Sequence, residues 1–140
     1  MIRTIATLLA AGALAGCWGA PPNEKILNGL CVDLLTGDER IVEDIAGRAQ
    51  TDVAGFCSCY AATIVADDAK TALHKDAISA MAEARKDGDR GVEDAARHVQ
   101  DLIEAGEIDT FTEAQLDSTG DDFQRISNDM GSAGGSCPAS

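Results

Sequence analysis

Hydrophobic residues recur every three or four positions through most of this chain, which is the spacing of one face of an α-helix. The stripes from Ile26 to Leu35 and from Val92 to Ile103 are the clearest examples. No segment alternates with the period of two that is typical of strands. Proline occurs only at positions 21, 22 and 138, so no proline ring interrupts a helix in between. The pattern predicts an all-α fold, a compact bundle of four to six short helices.

Residues whose side-chain oxygens can cap a helix precede several of these stripes. The last cap has a glutamine three positions later, which matches a capping box. Each cap predicts where a helix begins. The candidate caps are Thr51 or Asp52, the pair Asp67-Asp68, Thr112 with Gln115, and the pair Asp121-Asp122.

Two regions show a weaker pattern. The stripe from Leu73 to Ala84 is only weakly apolar and is expected to lie shallow on the core. The last apolar region is expected to be interrupted near Gly120. Residues 131–140 are small and polar, which predicts a flexible tail, although Cys137 could hold it in place. The helical domain is therefore expected to span residues 23–130.

The N-terminal residues have the organisation of a secretory signal. Arg3 supplies a short basic region, and an apolar run extends from Ile5 to Leu14. The run is shorter than the ~20 residues of a membrane-spanning helix. It ends in Leu14-Ala15-Gly16-Cys17, a motif that resembles the lipobox of bacterial lipoprotein precursors. An uncleaved anchor and a soluble secreted form are the alternatives.

The lipobox resemblance implies a mature protein that is anchored by lipid. Residues 1–16 would be removed, and Cys17 would become the acylated N-terminus, joined to the domain by a tether over 17–22. Two or three acyl chains, at ~0.8 kcal/mol for each buried methylene, would hold the protein permanently in a bilayer. Trp18 follows the cysteine where an inner-membrane retention signal would often have aspartate. The resemblance therefore favours the periplasmic face of the outer membrane over the inner membrane.

The charge of the chain argues against nucleic acid as a partner. Without Arg3, the mature chain has ten basic and 24 acidic residues, a formal charge of −14. Such a domain is repelled by nucleic acid and by anionic lipid head groups. The acidic exterior is expected to keep a tethered domain soluble and clear of the bilayer surface.

The number of cysteines supports the lipid assignment. Five cysteines are an odd set, but giving Cys17 to lipid leaves four in an oxidising compartment, where two disulfides are expected. Cys57 and Cys59 lie about 200° apart around a predicted helix and should not bond each other. Two pairings stay open. Because Cys31 lies on an apolar stripe, as Cys57 does, the spacing favours Cys31–Cys57 with Cys59–Cys137.

No catalytic motif stands out in the sequence. Cys57 and Cys59 could supply thiolates to a soft metal ion, but their opposite directions on a helix disfavour this, and neither a metal nor another cofactor is predicted. His74 lies on a polar stretch, and His98 lies between Asp94 and Asp101 at the spacing of a local ion pair. A Ser-His-Asp site assembled by the fold would require one of these histidines beside a serine.

The sequence thus predicts a non-enzymatic envelope lipoprotein that binds a protein partner or serves as an accessory subunit. A periplasmic module that handles a ligand or a metal is the alternative, and a hydrolase is a third possibility.

Overall fold

The computed structural model describes residues 20–138 and contains six helices and no strand over that range. The prediction of a compact all-α bundle is confirmed. The predicted signal segment and Cys17 lie outside the described residues. Among residues 20–138 no helix combines the length and hydrophobicity needed to cross a bilayer. The helices are α1 (Pro22–Leu35), α2 (Glu39–Arg48), α3 (Val53–Ile64), α4 (Asp68–Gly88), α5 (Val92–Glu104) and α6 (Glu113–Ser132).

Helix α4 lies at the centre of the bundle, packed between α1 and α5. The expectation that it would lie shallow was wrong. Its apolar residues are mostly alanines, which carry little hydrophobic signal in a sequence but allow neighbouring helices to approach closely. Three of them, Ala77, Ala82 and Ala84, are buried together with Ile78 and Met81.

The predicted helix caps are mostly confirmed. Asp52 and Asp67 accept hydrogen bonds from the first turns of α3 and α4, and Thr112 forms a capping box with Gln115. The pair Asp121-Asp122 does not cap a helix, because α6 continues without a break from Glu113 to Ser132, through Gly120. An exposed glycine raises the free energy of a helix by only ~1 kcal/mol, which tertiary packing can offset.

Two residues of the predicted apolar stripes face solvent. Ile26 on α1 is 47% exposed, and Val42 on α2 is 40% exposed. Both stripes are wider than the surface that the neighbouring helices cover. Scattered exposed aliphatic side chains of this kind are normal on protein surfaces and do not define a site.

Two disulfides fix the helices against one another. Cys31 of α1 is joined to Cys57 of α3 with a Cα–Cα distance of 5.6 Å. Cys59 of α3 is joined to Cys137 in the C-terminal segment with a Cα–Cα distance of 5.3 Å. These are the pairings that the sequence favours. The first bridge lies in the core between α1 and α3, and the second holds the tail against the domain.

Arg85 organises the end of the bundle where α1 and α4 both terminate. Its guanidinium donates hydrogen bonds to the carbonyl oxygens of Leu34 and Thr36, and its Nε donates to the carbonyl of Arg90 at 3.0 Å. Arg90 in turn donates to the carbonyl of Ala84 at 2.9 Å. Carbonyls at the end of a helix have no partner within the helix, so this arginine pair satisfies several of them.

Candidate functional site

A cleft of about 870 Å³ opens between the helices. One stretch each from α2, α5 and α6 forms its walls, and residues of α1, α3 and α4 form its floor. The apolar side chains of the floor are buried, and those of the walls that stay partly exposed are Ile41, Val92, Ala96 and Phe123. The apolar lining residues are Leu34, Leu35, Ile41, Ile78, Met81, Val92, Ala96, Leu116 and Phe123.

Charged residues form the rim of this cleft. Arg40 of α2 donates to Glu93 of α5 at 3.2 Å, so an ion pair joins two of the walls where α2 and α5 begin. Arg48 pairs with Asp44 on α2 itself at 2.9 Å. All four side chains are 43–69% exposed, and such pairs contribute only ~0–1 kcal/mol each to stability. The ion pairs can therefore open without unfolding the walls.

The rim on α6 has a different character. Asp117 accepts one long hydrogen bond, of 3.4 Å, from Gln100 of α5. Asp121, one turn further along α6, has no ion-pair or hydrogen-bond partner among residues 20–138. The two carboxylates share a face of the helix because they lie four residues apart. The α6 side of the cleft is therefore negatively charged and uncompensated.

Asp38 sets the distance between two walls. Its carboxylate accepts a hydrogen bond from the backbone N–H of Val92 at 2.8 Å and a longer one from Ile41 at 3.4 Å. One side chain thus caps the N-termini of both α5 and α2. The hydrogen bond from Val92 is the largest influence on this carboxyl and holds the pKa of Asp38 below its usual value.

A buried polar network lies next to the floor, and its Tyr60 is also a lining residue of the cleft. The Tyr60 hydroxyl contacts Nδ1 of His74, and Nε2 of His74 lies 3.2 Å from Oδ2 of Asp122. Nε2 makes no regular hydrogen bond with that oxygen, so the two groups interact electrostatically. His74 is 1% exposed and Tyr60 is completely buried. The network joins α3, α4 and α6.

Two cations from the surface complete the network. Nζ of Lys70 donates to both carboxylate oxygens of Asp122, at 3.0 and 2.8 Å, and Arg125 donates to Oδ1 at 2.9 Å. Burial by itself would raise the pKa of Asp122, but these hydrogen bonds outweigh it and the pKa is lowered. Burial is the main cause that lowers the pKa of His74, and the nearby Asp122 opposes it. The network therefore holds an ionised aspartate and a neutral histidine.

Sequence reasoning missed this network. The sequence places His74 on a polar stretch and Asp122 in a candidate helix cap, but both side chains are buried. The sequence does contain a signal that His74 is buried. This residue shares a helical face with Ala77, Ile78 and Met81, at spacings of three, four and seven residues. Its flanking residues, Lys75 and Asp76, obscured that periodicity.

The other residues considered from the sequence do not assemble into a reactive site within the described part of the chain. His98 lies beside a shallow polar hollow near Asp101, while its neighbour Asp94 pairs with Arg97 instead. No serine lines the cleft or this hollow. The sulfurs of Cys57 and Cys59 are both in disulfides, so neither is available as a thiolate.

Groups of three or more histidine, cysteine, aspartate or glutamate side chains that could hold a metal ion are absent from residues 20–138. Comparison of the chain with protein-family models, with characterised proteins and with solved structures finds no match.

Proposed function

We propose that this protein is a lipid-anchored, non-enzymatic binding module of the bacterial cell envelope. Cys17 carries the lipid, and the cleft receives part of an envelope protein partner. The observation that carries the proposal is the cleft itself, with an apolar floor, a charged rim and walls that are fixed at their ends. Grooves between helices with these properties are common recognition sites.

The fixed walls support a binding role. The disulfide Cys31–Cys57 locks α1 to α3 beneath the cleft, and Asp38 ties the start of α2 to the start of α5. A groove that is already shaped before binding loses less conformational entropy when a partner enters. Binding is favoured over catalysis because the Tyr60 hydroxyl contacts His74, and His74 does not line the cleft.

The position of the cleft suits an anchored protein. The tether would join the domain at Pro22, whereas the cleft is lined by the last turn of α1, up to Leu35. Thirteen helical steps of ~1.5 Å place these two points roughly 20 Å apart along α1. A short tether therefore keeps the domain near the membrane while the cleft lies away from the point of attachment.

Site-specific photo-crosslinking in living cells tests the proposal. A benzophenone amino acid at position 120 would lie in the α6 wall, and the same residue at position 47 would lie on the exposed face of α2, outside the cleft. Both positions are glycines at which an added Cβ meets no atom within 4 Å, so both should tolerate the substitution. We expect position 120 alone to crosslink a defined envelope protein. Identical products from both positions, or none from position 120, would contradict the proposal.

A further inference from the structure

We infer that the occupant of the cleft is a basic amphipathic helix of the partner protein. Its apolar face would lie against the partly exposed apolar side chains of the walls, and two lysine or arginine side chains would lie against Asp117 and Asp121. This inference rests on the proposed function and specifies the chemistry of the partner. Two properties of the cleft carry it, namely the length of its walls and the distribution of charge on its rim.

The length of the walls matches a short helix. Each of the three wall helices contributes residues over eight steps, from position 40 to 48, from 92 to 100 and from 116 to 124. At ~1.5 Å for each step, the walls are about 12 Å long, which is close to two turns of a helix. A helix of that length presents apolar residues at positions i, i+3 or i+4, and i+7, which is the spacing used in helix-in-groove recognition.

The rim selects a basic partner. Arg40 and Arg48 are each paired with a carboxylate, so they leave no net charge on the α2 and α5 side. Asp117 has only the long contact with Gln100, and Asp121 has no partner among the described residues. Four residues separate these carboxylates, and basic residues four apart on a bound helix would meet both.

The net charge of the whole protein also favours a basic partner. The mature chain has an excess of 14 acidic residues over basic residues, which attracts a basic segment from a distance and repels an acidic one. An acyl chain would use the apolar floor but would gain nothing from Asp117 and Asp121. A second copy of this chain would bring like charge to the rim.

The test uses a synthetic helical peptide as its probe. The peptide is cross-braced into a helix, carries three leucines on one face and has two lysines one turn apart beside them; in the matched control peptide, glutamates replace the lysines. Both are titrated into the full chain bearing Cys17→Ser, with binding followed by fluorescence anisotropy. The lysine peptide gains two ion pairs at the rim, whereas the control peptide brings like charge to it, so we expect the lysine peptide to bind about tenfold more tightly at low salt.

Two pairs of variants locate the binding. Gly120→Trp fills the cleft and should weaken binding of the lysine peptide at least tenfold, whereas Gly47→Trp should leave it unchanged. Asp117→Asn with Asp121→Asn should reduce the preference for lysine over glutamate to the smaller value that the net charge of the whole protein provides. Asp76→Asn with Glu83→Gln removes the same charge from the exposed face of α4 and should retain that preference. Thermal unfolding by circular dichroism verifies that each variant is folded.

Several results would overturn the inference. Equal binding of the two peptides, or equal binding by Gly120→Trp and the unaltered protein, would exclude the proposed contacts. Binding of myristate in the cleft without binding of the lysine peptide would assign the groove to an acyl chain. Self-association that Gly120→Trp abolishes would assign it to a second copy. If crosslinking from position 120 still captures a partner, only the basic helix is wrong; if it captures nothing, the binding function itself is wrong.

Discussion

Replacing Cys31 and Cys57 together by alanine is expected to lower the free energy of unfolding by about 4–5 kcal/mol. The bridge encloses 26 residues, and its loop-closure effect alone amounts to roughly 3.5 kcal/mol. Both sulfurs also lie in the fully buried core between α1 and α3, so their removal leaves an unfilled space. Denaturation in urea, followed by circular dichroism under non-reducing conditions, measures the change.

The second disulfide provides a matched comparison. Loop length alone predicts that it stabilises the domain more than Cys31–Cys57 does, whereas we expect it to stabilise the domain less. Cys59–Cys137 encloses 78 residues, so chain entropy alone gives it the larger effect, roughly 4.5 kcal/mol. However, Cys137 lies in an exposed segment after α6, and cutting the bridge lets that segment regain conformational freedom in the folded protein. We expect Cys59→Ala with Cys137→Ala to lower the free energy of unfolding by less than about 3 kcal/mol. A larger loss than for Cys31 and Cys57 would contradict this account of the core.

Gly131→Ala is expected to lower the free energy of unfolding by about 2–4 kcal/mol. A Cβ at Gly131 would overlap the backbone carbonyl oxygen of Arg48, because the end of α6 passes directly over the end of α2. Backbone cannot move aside as a flexible side chain can. Gly135, with a φ of +85°, makes a similarly close approach to the carbonyl of Gln50. The two glycines therefore allow the chain after α6 to pack on the loop that follows α2.

Gly120→Ala in the same helix should have the opposite effect. A Cβ at Gly120 meets no atom within 4 Å, and alanine favours a helix over glycine by ~0.5–1 kcal/mol. The two substitutions are chemically identical and lie 11 positions apart in α6. Thermal unfolding should therefore show a lower melting temperature for Gly131→Ala and a higher one for Gly120→Ala. If both substitutions lowered the melting temperature, the surroundings described for Gly120 and Gly131 in α6 would be wrong.

These two glycines show what the sequence could not predict. A sequence pattern places Gly120 as an interruption of the last helix and Gly131 at the start of a flexible tail, whereas α6 includes both residues. Whether a glycine is tolerated or required depends on the segment that approaches it from elsewhere in the chain. Arg48 is 83 positions away from Gly131, so no local signal marks their contact.

The helices were predictable because the signals that specify them are local in the sequence. Apolar stripes and caps such as Thr112 with Gln115 act within one or two turns, so the sequence shows them directly. The favoured disulfides followed from the directions of side chains around single helices. The buried contact between His74 and Asp122 joins residues 48 positions apart on different helices, and the cleft depends on three separate wall segments. Both emerge only when the helices are packed.

The central claim is that five cysteines divide into one lipid attachment site and two disulfides, and intact mass spectrometry of the protein extracted from bacterial membranes tests it most directly. We predict a chain that begins at Cys17 and carries a diacylglycerol and an added acyl group on that residue. It also predicts that a thiol-alkylating reagent leaves the unreduced protein unmodified. A chain that retains residues 1–16, or an alkylated thiol at Cys17, would contradict the claim.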